Sequence, residues 1–311
     1  MSKGPYTVLA YYNFVHLPDP HEEVRRHKEF CSARDITARL YISEEGINGQ
    51  MSASAAAAQE YMEWMQQHPQ FSGTIFKLHY HHEHAFPRLI IKYRKQLVAL
   101  DRSVDMNKTG QRLSPKEWKE RLNQEEDRVL IDVRNEYEWR VGHFAGADLP
   151  KCDNFREFCE YAEGLKEKIK PETSVMMYCT GGIRCEVYSA YLKELGIEKV
   201  YQLDGGIINY GLQEGSAHWL GKLFVFDDRM TVPISKEEAP VVGECHHCKA
   251  KTDHYYNCAN MDCNCLFLCC SACLEQYQGC CQTSCQKAPR LRPYQQQNPH
   301  KPFRRKANYR N

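Results

Sequence analysis

No stretch of this 311-residue chain approaches the roughly 18 consecutive apolar residues that a membrane-spanning helix needs. A membrane-embedded protein is therefore not expected. The start, MSKGPYTVLAYYNF, has no apolar core followed by a small-residue cleavage site, so no signal peptide is read there. Neither sign of charge is in real excess. Lys and Arg number 41 against 40 Asp and Glu, and the net of +1 points to no partner by itself. A G-x-G-x-x-G dinucleotide fingerprint is absent. Cysteine is scarce over most of the length: only five precede residue 186, whereas eleven crowd between Cys245 and Cys285. Secreted disulfide scaffolds are short and cysteine-rich throughout. A large cysteine-poor body with one dense cluster predicts a cytoplasmic protein with a local metal site.

The patterning predicts an α/β multidomain chain. Residues 6–15 are aromatic and β-branched, a strand signal. Asp19-Pro20 opens a helix, ITARLYIS alternates as a strand, and EEGINGQ, with Asn48-Gly49, has turn chemistry. An alanine-rich helix runs up to Pro69, and TIFKLHYH and RLIIKYRK follow as strands. This order suits a ferredoxin-like α+β domain over 1–100. The polar segment 101–112 is expected to be a linker. From Ser114, strands alternate with helices, which predicts a parallel-sheet α/β domain over 113–215. A cysteine-rich module is expected over 240–290, with a basic flexible tail over 291–311.

Chemistry concentrates in YCTGGIRC, residues 178–185. A strand, a glycine turn and a helix in succession aim backbone N–H groups at one point, and the helix dipole adds positive potential. Such a place lowers a thiol's pKa. Cys179 is therefore the candidate nucleophile, with Thr180, Gly181, Gly182, Ile183 and Arg184 forming its loop. Arg184 follows Cys179 by five positions. Cysteine-dependent phosphatases place arginine one residue later, so this tighter loop suits a persulfide or small sulfur oxyanion better than a phosphate ester. Cys185 is either a resolving thiol or a small residue packed beneath the loop. Asp132, Arg134 and His143, in LIDVRNEYEWRVGHFAGA, are expected to brace the loops. With YQLDGGIINY downstream, these motifs resemble the rhodanese fold.

Four short-spaced pairs supply eight thiolates: Cys245/Cys248, Cys258/Cys263, Cys270/Cys273 and Cys281/Cys285. Eight thiolates suffice for two structural zinc ions. Spacing leaves open which pairs share an ion and whether Cys265, Cys269 or Cys280 exchange with them. The run HYHHEHAF invites a two-histidine, one-carboxylate iron site. On a regular strand His79 and His81 face away from His82 and His84, so a solvated strand end is expected instead. From Gln286 the chain carries eight basic residues and no acidic one, which leaves −7 for the rest. Arg290, Arg292, Lys301, Arg304, Arg305 and Lys306, interleaved with Tyr294, Phe303 and Tyr309, suit single-stranded RNA or loops.

Taken together, EEGING, CTGGIRCE and the cysteine-rich end followed by APRLRPY resemble the bacterial rhodanese-domain tRNA uridine hydroxylase family. The resemblance extends to about Tyr294. It implies O2-dependent 5-hydroxylation of the wobble uridine, position 34, in the tRNA anticodon loop, with Cys179 as active-site residue. O2 would be a co-substrate; the sequence identifies no electron donor, and no protein partner is predicted. The residues by themselves support a rhodanese-type sulfurtransferase acting through a Cys179 persulfide on RNA or a small acceptor. A non-catalytic RNA-binding module is the third reading.

Overall fold

The computed structural model describes residues 4–124 and 127–294. Two compact units divide between Ala99 and Leu100. In the first, β1 (Tyr6–Phe14), α1 (Pro20–Ser32), β2 (Ile36–Ser43), β3 (Gly46–Ser54), α2 (Ala55–Gln67), β4 (Lys77–His81) and β5 (Leu89–Tyr93) follow in order. The sheet order is β4-β1-β3-β2-β5. Neighbours are antiparallel except β2 and β5, which run parallel. This is the expected split βαβ with one further edge strand. Both helices start on a side-chain cap: Asp19 accepts from the Glu22 N–H at 2.9 Å and Ser54 from the Ala57 N–H at 3.3 Å. Val24 and Cys31 of α1 and Tyr61 and Met65 of α2 pack with Leu9, Leu40, Ile42 and Met51 of the sheet. That cluster is the core of this unit.

The expected turn at EEGINGQ is placed differently. The turn is Glu44-Glu45, and Asn48-Gly49 lie inside β3, opposite Tyr12 and Tyr11 of β1. Gly49 serves close approach there. A Cβ at this position would sit 2.3 Å from the Tyr11 ring.

The second unit carries β6 (Gln111–Leu113), α3 (Pro115–Asn123), β7 (Arg128–Asp132), α4 (Glu136–Trp139), β8 (Gly142–Phe144), α5 (Phe158–Lys168), β9 (Ser174–Tyr178), α6 (Ile183–Glu194), β10 (Val200–Leu203) and α7 (Gly206–Glu214). A parallel sheet forms in the order β6-β10-β9-β7. Residues 111–113, the first two of them expected in the linker, pair with β10 as the sheet's edge. Residues Cys185–Leu192 of α6 are all buried, so this helix is covered on every side.

The chain continues through β11 (Trp219–Gly221), β12 (Leu223–Phe224) and β13 (Thr231–Val232) to the hairpin β14 (Tyr255–Asn257) and β15 (Leu266–Leu268), then α8 (Ser271–Gln276). Tyr255 and Leu268 of the hairpin share a buried cluster with Val141, Phe224 and Met230. The cysteine-rich segment is thereby seated beside α4. No described helix is long and apolar enough to cross a membrane.

Candidate active site and metal centres

Strand β9 lies between β10 and β7 and delivers Cys179 at its carboxyl end, where parallel α/β sheets commonly place ligands. The chain then turns through Gly182, whose φ of 104° favours glycine, into α6. The Gly182 N–H donates to the Cys179 sulfur at 3.1 Å. Two further bonds hold the loop from beneath: the N–H groups of Ile207 and Ile208 donate to the carbonyls of Cys179 and Thr180 at 3.0 and 3.1 Å. Gly206 makes that docking fit, since a Cβ there would lie 2.5 Å from the Cys179 carbonyl oxygen.

Burial opposes ionisation of Cys179. It is outweighed by the Cys185 thiol, the Arg184 charge and the N–H groups of Gly182 and Arg184, which bring the pKa down to about 5. Cys179 is thus a thiolate at neutral pH. Cys185 is fully buried; burial and the neighbouring Cys179 hold its own pKa well above the usual thiol value. It therefore keeps its proton and donates it toward Cys179.

Arg184 is held by Glu138. Its Nη1 and Nη2 reach the two carboxylate oxygens at 2.5 and 2.8 Å. Glu138 is fully buried, accepts from the Asn135 N–H at 3.1 Å and so also caps α4. Thr180 Oγ1 lies 3.4 Å from its Oε2. Gly181 and Ile183 are half-buried. Asp132 and Arg134 form a second ion pair, fully buried, with Nε···Oδ1 2.8 Å and Nη2···Oδ2 2.6 Å. Arg134 also donates to the Gly142 carbonyl at 2.6 Å and lies over the Tyr178 and Trp219 rings. His143 sits on β8, its Nδ1 3.0 Å from the Trp139 carbonyl oxygen. All three brace the strand ends around the loop.

The four cysteine pairs interleave. Cys245 and Cys248 meet Cys270 and Cys273; Cys258 and Cys263 meet Cys281 and Cys285. Within each set the sulfurs lie within 4.8 Å of one another. Tetrahedral zinc with bonds of about 2.3 Å requires sulfurs about 3.8 Å apart. The Cys248–Cys270 and Cys263–Cys281 separations are 3.7 and 3.6 Å. The donor sets fit such an ion. Cys265, Cys269 and Cys280 stand outside both sets.

Three family descriptions match consecutive parts of the chain: "UPF0176 acylphosphatase like domain" over residues 6–97, "Rhodanese-like domain" over 114–212 and "Rhodanase C-terminal" over 220–286. The tRNA uridine(34) hydroxylase of Protochlamydia amoebophila (strain UWE25) is 62% identical, covering 99% of this chain and 97% of that protein. Those of Chlamydia pneumoniae and Chlamydia muridarum (strain MoPn / Nigg) are 52% and 53% identical, covering 96% and 97% of this chain and 93% and 92% of theirs. The chain belongs to the tRNA uridine(34) hydroxylase family.

Other expected site residues of this hydroxylase-family chain are placed as follows. Arg290 is exposed and paired with Asp262. Arg292 departs from the expectation of a flexible tail. It is buried, donates to Asn264 Oδ1 at 2.6 Å, and its N–H bonds the Ala259 carbonyl at 2.9 Å. The chain around it folds back onto the cysteine-rich module through the Asn260–Leu291 bridge. Lys301, Arg304, Arg305 and Lys306 lie outside the described residues.

The histidine run also differs from its expectation. Strand β4 ends at His81 and the chain bends at His82-Glu83, so His81 and His82 need not face opposite ways. Sequence reasoning missed Glu138 and the proton-donating position of Cys185. The N-E-Y-E spacing from Asn135 to Glu138 signals a helix cap and gives no hint of the arginine 46 positions on.

Proposed function

We propose that this chain hydroxylates C5 of uridine 34 in tRNA, with Cys179 as nucleophile. The observation that carries the reading is the buried Cys179 thiolate, ionised down to about pH 5, in a chain of this family. Uridine must leave its stack to reach such a group. The thiolate adds to C6, and the electron pair of the 5,6 double bond moves toward C5 and the O4 carbonyl. C5 then takes one oxygen atom derived from O2. Loss of the C5 proton with expulsion of the thiolate restores the double bond. The second oxygen atom leaves as water, which consumes two protons and two electrons from an external reductant. Arg184, held by Glu138, keeps positive charge beside the sulfur through both steps. Two zinc ions on the interleaved thiolates hold the module that seats α4; they supply structure and take no part in the reaction. The tail residues Lys301, Arg304, Arg305 and Lys306 contact the anticodon-arm backbone.

Nucleoside mass spectrometry of tRNA from a deletion strain tests this. Restoring the wild-type gene should return uridine carrying one added oxygen, and Cys179→Ser should return none. Modification by the serine variant overturns the nucleophile. Rapid turnover of thiosulfate and cyanide without tRNA, and no change in tRNA, would establish the sulfurtransferase reading instead.

A further inference from the structure

We propose a third metal site, distinct from the thiolate sites, at the end of β4, where His81, His82 and Glu83 present one donor each to a divalent first-row transition ion. The donor atoms of these three side chains lie within 4.8 Å of one another. The two imidazole rings stand 4.1 Å apart, tilted by 45°. His81 and Glu83 are half-buried and His82 is exposed, so the cluster has an open side.

The surroundings fix the bend that makes this possible. Just past the cluster, His84 Nε2 lies 2.8 Å from Asp35 Oδ1, and its Nδ1 lies 3.1 Å from both Thr37 Oγ1 and the Ser52 carbonyl oxygen. The Ala85 N–H donates to Ser52 Oγ at 3.1 Å, and Ala85 and Phe86 are buried against Val8. On the near side β4 is tied to β1, with His81 opposite Tyr6. The triplet is therefore held between two anchored segments. The histidine run divides its labour: His84 fastens the chain, and the preceding three residues face a common point.

Two imidazole nitrogens and a carboxylate oxygen form a borderline-to-hard donor set that suits Fe, Co, Ni or Zn in the divalent state. Three protein donors leave further coordination positions for water or a small ligand. The sulfur sets have four donors each and are closed. The two kinds of site should therefore differ in spectrum and in exchange. This inference is independent of the role of Cys179.

The test uses the untagged full chain with its thiolate sites filled by zinc, titrated with Co(II). One further equivalent should bind, giving weak d–d absorption and no thiolate charge-transfer band. Glu83→Gln should weaken binding at least ~10-fold, by analogy with the 10–100-fold loss on disturbing a metal's supporting residues. The double variant His81→Ala, His82→Ala should abolish it, and His79→Ala, on the same strand outside the cluster, should retain it. Circular dichroism checks that each variant is folded. Absence of a further equivalent, thiolate bands that reveal zinc displacement alone, or binding untouched in the folded double variant each overturns the site.

Discussion

The fully buried carboxylate of Glu138 holds both arms of the half-buried Arg184, and replacing it leaves that cation without its partner. Breaking such a pair costs about 3–5 kcal/mol. Glu138→Gln should therefore lower the unfolding free energy of this unit by roughly that amount, read by denaturant titration. It should also lower kcat, because Arg184 loses its fixed position beside the sulfur. Retained stability with normal turnover would remove Glu138 from that role. The ionisation of Cys179 gives a second expectation. Alkylation by a small haloacetamide should stay level from neutral pH down to about 6 and fall through about 5. Cys185→Ala removes a donor to the thiolate and should move that midpoint upward. The linkage has a definite sign. Cys179 has a folded pKa below its ordinary value, so its contribution to stability is full above the ordinary thiol range and is lost as pH falls toward about 5. Cys179 and its glycine turn were legible in the sequence because strand, turn and helix are contiguous there. Glu138 and Cys185 were not. Their roles depend on which side chains the fold brings together, and no local pattern encodes that.

Strand β14 connects the cysteine-rich segment to α4, which carries Glu138. The Tyr255 hydroxyl donates to the Tyr137 carbonyl at 2.5 Å, and Tyr137 directly precedes Glu138 in α4. A metal held by the interleaved cysteines would therefore support Glu138, and through it Arg184 and Cys179. Purified protein should contain about two zinc ions, four thiolates to each. Stripping them should release β14 and β15, slow Cys179 alkylation at neutral pH and restore it on zinc addition. Unchanged alkylation after complete metal removal would separate the two regions. Spacing picked out the eight cysteines whose sulfurs the fold gathers into two sets of four, since a short loop can present two sulfurs to one point. The partition between ions was hidden, because it is decided by how β14, β15 and α8 pack. The convergence of His81, His82 and Glu83 was hidden in the same way, because alternation along a strand holds only up to the bend after His81.

Charge along the chain is divided between a body at −7 and a carboxyl-terminal stretch at +8. Arg292 is committed to the folded module, so the residues beyond Tyr294 hold the remaining tail cations apart from Lys287 and Arg290. Deleting 295–311 should weaken tRNA binding and flatten its salt dependence, because fewer counterions are released. Modification at saturating tRNA should persist. Binding with an unaltered salt slope would show that the tail makes no phosphate contacts. The interleaving of the cysteines also has a consequence for synthesis. As the ribosome extends the chain, neither four-sulfur set exists before Cys273 is added, and the second waits for Cys285. Until Cys270 is added, Cys245, Cys248, Cys258 and Cys263 are nascent thiols without their partners. A chain halted before Cys273 has no complete centre, and one halted between Cys273 and Cys285 has one. Any metal these sets take up would therefore bind only after the rhodanese-like domain, residues 114–212, has been made.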